Sequence, residues 1–169
     1  MVKALRLCAV LRPDLSRSPV FTGSLRFGGD QDGGVSLEHP ARRAGLASQA
    51  AVRAKRKAEW LALFAADARV EDPVGISPYD PVGEGHAGHE AIAAFWDKAI
   101  EPSRIEFEWA DSFACGDEAA FTGTIRSARP GVVVEVDLVA VYRVDADAKI
   151  VALRAFWELD RARVTPISQ

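Results

Sequence analysis

The sequence predicts an α+β fold, with helices gathered in the first half and a bent sheet of long antiparallel strands laid against them. Three observations predict it. Good helix formers with recurring apolar positions fill residues 41–66 and 89–100. After Pro102 the apolar period changes from helical to alternating. The turn-like stretches "ACGDE", "ARPG" and "DADA" then divide that half into four strand-like runs. Helices followed by strands pack as a sheet with the helices across one face.

Residues 1–40 show neither period, and "FGGDQDGG" has the glycine and aspartate content of a flexible chain. They are expected to be a disordered extension, or else sequence upstream of the true start. One domain is expected at 41–162, followed by a short tail at 163–169. Within 41–66, Leu46, Ala50, Leu61 and Phe64 recur as an apolar stripe, interrupted by the basic run "RAKRK" at 53–57, which reads as a solvated face or a helix corner. A second helix fits "HEAIAAFWDKAI", with Ile92, Phe95, Trp96 and Ile100 on one side and Glu101-Pro102 as its end. Strands follow at 104–113, 119–128, 132–144 and 150–159. Connections this short make them antiparallel neighbours.

Composition excludes several functions. A net charge of −3 gives no basic footprint for nucleic acid. No apolar run approaches the ~20 residues of a membrane helix. The opening "MVKALRLCAVL" imitates a signal peptide, but Arg6 breaks it and Arg12-Pro13 close it, so a cytoplasmic protein is expected. Cys8 lies in the unpatterned N-terminus and Cys115 in an expected turn, so no disulfide is expected.

The stretch "ARVEDPVG", residues 68–75, carries an acid toward the core. If residues 69–72 are extended, Val70 and Asp72 share one face and Arg69 and Glu71 the other. Glu71 then reads as a solvated or arginine-paired charge. Asp72 lies on the apolar face, and Pro73 holds it extended. Burial there raises a carboxyl pKa, as a general acid or base near neutral pH requires. An aspartate before proline also starts turns, and Asp72 as a backbone acceptor is the other reading.

On the third strand Val132, Val134, Val136, Leu138, Ala140, Tyr142 and Val144 share a face that is apolar but for one phenol. Val139 and Val141 lie on the opposite face, so the outer surface is expected to meet a second copy of the chain. Ile105, Phe107, Trp109 and Phe113 share a face by the same count, as do Phe121 and Ile125, and Leu153 and Trp157. Core filling accounts for such side chains singly. Together on a concave sheet they leave room for a small apolar ligand.

Three segments, "LALFAADARVEDPVG", "GHEAIAAFW" and "VYRVDADAKIVALRAFWE", resemble the ketosteroid isomerase and SnoaL-like branch of the nuclear transport factor 2-like superfamily over roughly residues 41–160. The resemblance implies a cone-shaped, curved mixed β-sheet wrapped against N-terminal helices around an apolar pocket, usually in a dimer. It implies cofactor-independent acid–base catalysis on a hydrophobic ketone or polycyclic small molecule, with no metal and with Asp72 as general base. A non-catalytic module that binds a hydrophobic ligand is the alternative.

The family's two oxyanion donors, a tyrosine and a protonated aspartate, fall at Ser48 and Ala140, and Asp137 points to the wrong face to replace the second. The insertion "ISPYDPVGEGHAGHE" offers Tyr79, His86 and His89 as acids or donors. His86 and His89 also have the spacing of a metal site, though no third ligand is evident, and a surface loop is the expected reading. By resemblance and by face, the pocket is expected to be lined by Phe64, Val70, Trp96, Phe107, Trp109 and Phe121, together with Leu138, Ala140, Tyr142, Leu153 and Trp157.

Overall fold

The computed structural model describes residues 38–167, so Cys8 and the expected extension lie outside the described residues, save for the last three positions of the latter. Helix α1 spans Pro40–Arg53, with proline in its first turn, where the missing N–H costs nothing. Contrary to the expected stripe, Leu46 and Ala50 face solvent, and α1 buries Ala44, Gly45, Ser48, Gln49 and Val52. The cause is close packing: a Cβ on Gly45 would lie 2.6 Å from Phe121 Cε2 and 3.0 Å from Tyr142 Cδ2, so the helix approaches the sheet through its small residues.

The chain turns a corner at Lys55, in the left-handed region at φ 57°, as "RAKRK" suggested. The run is not simply solvated. The Lys55 ammonium donates to the carbonyls of Ile100, Glu101 and Ser103, and Arg53 donates to the Phe107 carbonyl at 3.2 Å. Helix α2, Lys57–Ala62, is short. Phe64, expected on a helix, opens strand β1 (Phe64–Glu71), because its backbone pairs in parallel with the start of β6 (Ile150–Phe156).

Strand β2 (His86–Ala87) pairs with β1, and helix α3 (Gly88–Phe95) runs into a π-helical turn, Trp96–Ile100. The expected apolar side of this helix, Ile92, Phe95, Trp96 and Ile100, is buried throughout. Strands β3 (Arg104–Cys115), β4 (Glu118–Arg129), β5 (Val132–Val144) and β6 form the expected antiparallel meander. Together with β1 and β2 they form a mixed sheet in the order β2-β1-β6-β5-β4-β3.

The sheet departs from regular register at three points, in β1, β3 and β5, and the one in β3 decides which side chains face the core. Between Trp109 and Asp111 an extra residue enters β3, opposite Gly123, where a Cβ would come within 2.1 Å of the Glu108 carbonyl. One inserted residue reverses the facing of every side chain beyond it. Ile105, Phe107 and Trp109 therefore pack on the core, whereas Phe113, expected on their face, is 61% exposed. Cys115, exposed and unpaired, ends β3 and does not lie in the turn. The expected tail is also ordered as far as Pro166: Arg163–Pro166 forms β7 against the start of β5, and Arg163 clasps Asp137 with two hydrogen bonds of 2.7 and 3.0 Å.

Candidate active site

Strand β1 delivers Asp72 as alternation requires. Val70 is fully buried, Glu71 pairs with Arg154 at 2.9 Å on the opposite side, and Asp72 follows as the first residue past the strand. The Asp72–Pro73 peptide bond is cis, and the Val74 amide donates to the Ala155 carbonyl at 2.8 Å, which seats the following loop on β6. Trp157, just beyond β6, donates its indole N–H to Asp72 Oδ1 at 2.7 Å. Oδ2 has no hydrogen-bond partner among the described residues. Desolvation raises the Asp72 pKa, and the indole bond offsets it only in part.

Asp72 and Trp157 stand in the wall of a cavity of about 240 Å³, with Val132, Val134 and Val136 from β5 as its floor and Phe95 and Ile100 on the helical side. Its other polar lining is Tyr79, Ser127 and Arg129. A larger hollow of about 510 Å³ shares Trp157 and Val136, but it is lined by Asp137, Val139, Glu158 and Arg161 and lacks Asp72. The smaller cavity is the chemically interesting one because a desolvated carboxylate faces it.

Tyr79 reaches this cavity on the insertion, which is internally braced. Ser77 and Asp80 exchange backbone hydrogen bonds, the Ser77 hydroxyl accepts the amides of Tyr79 and Asp80, and the Asp80 carboxylate accepts those of Gly83 and Gly85. These bonds hold the Asp80 pKa down. The Tyr79 ring meets Phe95 edge-on at 6.1 Å, and its hydroxyl accepts a hydrogen bond from Arg129 Nη2 at 3.1 Å.

The histidines are elsewhere. His89 is exposed and its Nε2 lies 3.1 Å from the Phe64 carbonyl; His86 stacks on Phe95 at 4.8 Å. His86 Nε2 is buried without a partner, and burial lowers its pKa. Neither lines the cavity, and no cluster of metal-ligating side chains occurs among the described residues.

Of the residues expected to line the pocket, Trp157 does so. Phe64, Val70, Trp96 and Phe121, with Leu138, Ala140, Tyr142 and Leu153, are buried in the core, and Phe107 and Trp109 pack against it. The reason is that α1 closes that end of the sheet. Ser48 accepts the Trp60 indole N–H at 2.9 Å, Gln49 Oε1 accepts that of Trp109 at 2.7 Å, and the buried Tyr142 hydroxyl lies beside Ser48 and Gln49. Burial pushes the Tyr142 pKa up to about 12.

Alternation missed the cavity residues Ser127 and Arg129 because they are polar. Their signal was parity: both continue the inward series of Phe121 and Ile125 on β4.

A curved mixed sheet with helices across one face and an acid in an apolar cavity defines a cone-shaped α+β protein of the nuclear transport factor 2-like kind. A family model for the SnoaL-like domain matches residues 47–153, and the chain belongs to that family. It is similar to RV0760c from Mycobacterium tuberculosis, at 34% identity and TM-score 0.74 over 78% of this chain and 100% of that one. RV0760c has also been solved in complex with estradiol-17β-hemisuccinate. A Δ5-3-ketosteroid isomerase from Mycobacterium sp. is 35% identical, with TM-score 0.72 over 75% of this chain and 99% of that one. No curated protein matches the chain.

Proposed function

We propose that the chain is a cofactor-independent acid–base catalyst of the steroid Δ-isomerase or SnoaL-like type, acting on a hydrophobic ketone or polycyclic small molecule with Asp72 as general base. One observation carries the reading. A carboxylate with a raised pKa, held through one oxygen by an indole, stands in the wall of a largely apolar cavity. Ionised Asp72 takes a proton from the carbon next to a carbonyl through Oδ2. A C–H bond breaks, an O–H bond forms, and the electron pair moves onto the carbonyl oxygen as an enolate. Tyr79 accepts from Arg129 and so keeps its own proton to donate to that oxygen. Asp72 then returns the proton further along the conjugated system.

The ketosteroid isomerase and the steroid complex among the relatives support a steroid-like ligand. A cavity of about 240 Å³ lies below the ~300–1,000 Å³ usual for ligand sites, which favours a body of one or two rings or partial insertion of a longer one. The test is conversion of a 3-oxo-Δ5-steroid, or of a bicyclic β,γ-unsaturated ketone, to the conjugated enone. Asp72→Asn is expected to slow it about 10²–10⁴-fold. Turnover unchanged in that variant would remove Asp72 from the chemistry.

A non-catalytic module is the second reading, favoured by Ser48 and Ala140 at the family's donor positions and by the packing that fills that region. It predicts tight binding of an equilenin-type phenol with no turnover of any ketone. On either reading the protein is a cytoplasmic homodimer through the outer sheet face, where Val139, Phe156 and Val164 are exposed. Light scattering at micromolar concentration checks the mass.

A further inference from the structure

Arg129 ends β4 with its guanidinium braced on three sides. Nε donates to the Ser103 hydroxyl at 2.6 Å, and Nη2 donates to the Ala99 carbonyl at 3.0 Å and to the Tyr79 hydroxyl at 3.1 Å. Bracing the carbonyls at the end of the α3 segment is a structural task, but Lys55 already performs it for Ile100, Glu101 and Ser103. Arg129 differs from Lys55 in lining the cavity. Its Nη1 has no hydrogen-bond partner, and the guanidinium has no carboxylate partner, among the described residues.

The surrounding charges do not neutralise it. Lys98 lies beside it, 5.8 Å above the Tyr79 ring, and Lys55 senses its charge. Glu101, the acid that also acts on Lys55, points an oxygen at the Trp96 indole at 2.8 Å. The guanidinium is partly exposed, and the edge that protein groups leave free is open to a ligand carboxylate. A planar fork already fixed in orientation loses little freedom when it binds a carboxylate.

We propose that Arg129 determines specificity by holding the acidic end of the ligand, and that the cavity takes an amphipathic carboxylic acid whose ring system lies on Val132, Val134 and Val136. The proposal rests on the reading of the Asp72 cavity as the ligand site. The acid is bound on the free edge of Arg129, which leaves the Tyr79 hydroxyl for the carbonyl oxygen, and the apolar body lies over the β5 valines toward Asp72 and Trp157.

The experiment compares 2-naphthylacetic acid with its methyl ester by calorimetry at neutral pH. The wild-type protein is expected to bind the acid roughly ten- to a hundredfold more tightly than the ester, the scale of a charge-assisted hydrogen bond. Arg129→Gln is expected to abolish the preference, weakening the acid at least about tenfold more than the ester. If that variant does not fold, Arg129→Lys, which keeps the charge without the fork, is expected to narrow the preference.

Equal binding of acid and ester by the wild type, retention of the preference without Arg129, or binding of neither compound at millimolar concentration overturns the proposal. Turnover of a neutral ketone without acid preference sinks this inference and spares Asp72 as base. Acid preference without turnover does the reverse.

Discussion

Two regions of the same sheet bury polar side chains among apolar ones, and they come to opposite ends. Under α1, the indoles of Trp60 and Trp109 donate to Ser48 and Gln49, the Tyr142 hydroxyl lies beside both acceptors, and the helix presses on Phe121 and Tyr142 through Gly45. Beyond β1, Asp72 has Trp157 as its one hydrogen-bond partner among the described residues, and it stands in the wall of a cavity. The first cluster uses its hydrogen bonds to hold the fold. The second keeps an unpaired oxygen, a raised pKa and room for a guest, which together make a carboxylate a reagent.

The largest expected difference between the regions is in rate. Asp72→Asn removes about 10²–10⁴-fold of turnover, whereas Tyr142→Phe leaves turnover within a factor of about two of wild type and shows any cost in denaturant titration, within about 1 kcal/mol for one buried hydroxyl. A Tyr142→Phe variant that lost turnover as Asp72→Asn does would move the chemistry to the closed end.

Next in size is Gly45→Ala. The added methyl meets Phe121 and Tyr142, and overpacking costs about 1–3 kcal/mol against a gain of up to about 1 kcal/mol in helix propensity. Net destabilisation in urea is expected. A stabilised variant would mean that the closed end has slack.

A smaller effect has the opposite sign. Burial raises the folded-state pKa of Asp72 above its unfolded value, so the contribution of this group is full below the unfolded pKa and is lost as pH rises through the folded one. Asp72→Asn, whose amide oxygen can still accept the Trp157 bond, is therefore expected to melt higher than wild type at neutral pH, with the gain vanishing in acid.

The smallest effect is spectroscopic. The chain has two tyrosines, so in Tyr79→Phe the remaining phenol is Tyr142, and its ionisation is expected only near pH 12. Phenolate absorbance appearing with an ordinary tyrosine midpoint would show that the closed end admits solvent.

The open region was more legible in the sequence than the closed one. "VEDPVG" announced an acid on the inner face, and alternation placed Val70 and Glu71 on the faces they occupy and carried Asp72, one residue past the strand, to the cavity wall, because a period of two needs no tertiary information. The four long strands and the Ile92–Ile100 helix were legible for the same reason. Alternation failed at Phe113, where one extra residue reverses the facing, and no residue type at Ala110 signals it. The α1 stripe failed because a helix that packs closely buries its small residues, so Leu46 looks like core and is not. Arg129 was hidden by its charge: polar side chains at the ends of strands read as solvent-facing, and only the fold brings its guanidinium to Tyr79, fifty residues away in sequence.

The proposed chemistry requires one desolvated carboxylate beside space for a ligand. The direct measurement is a ¹³C NMR titration of the Asp72 carboxyl carbon, alone and with an apolar ligand bound. A midpoint above the ordinary 3.8 is expected, moving higher when the ligand displaces water from the cavity. A midpoint at or below 3.8, unmoved by any ligand, would contradict it.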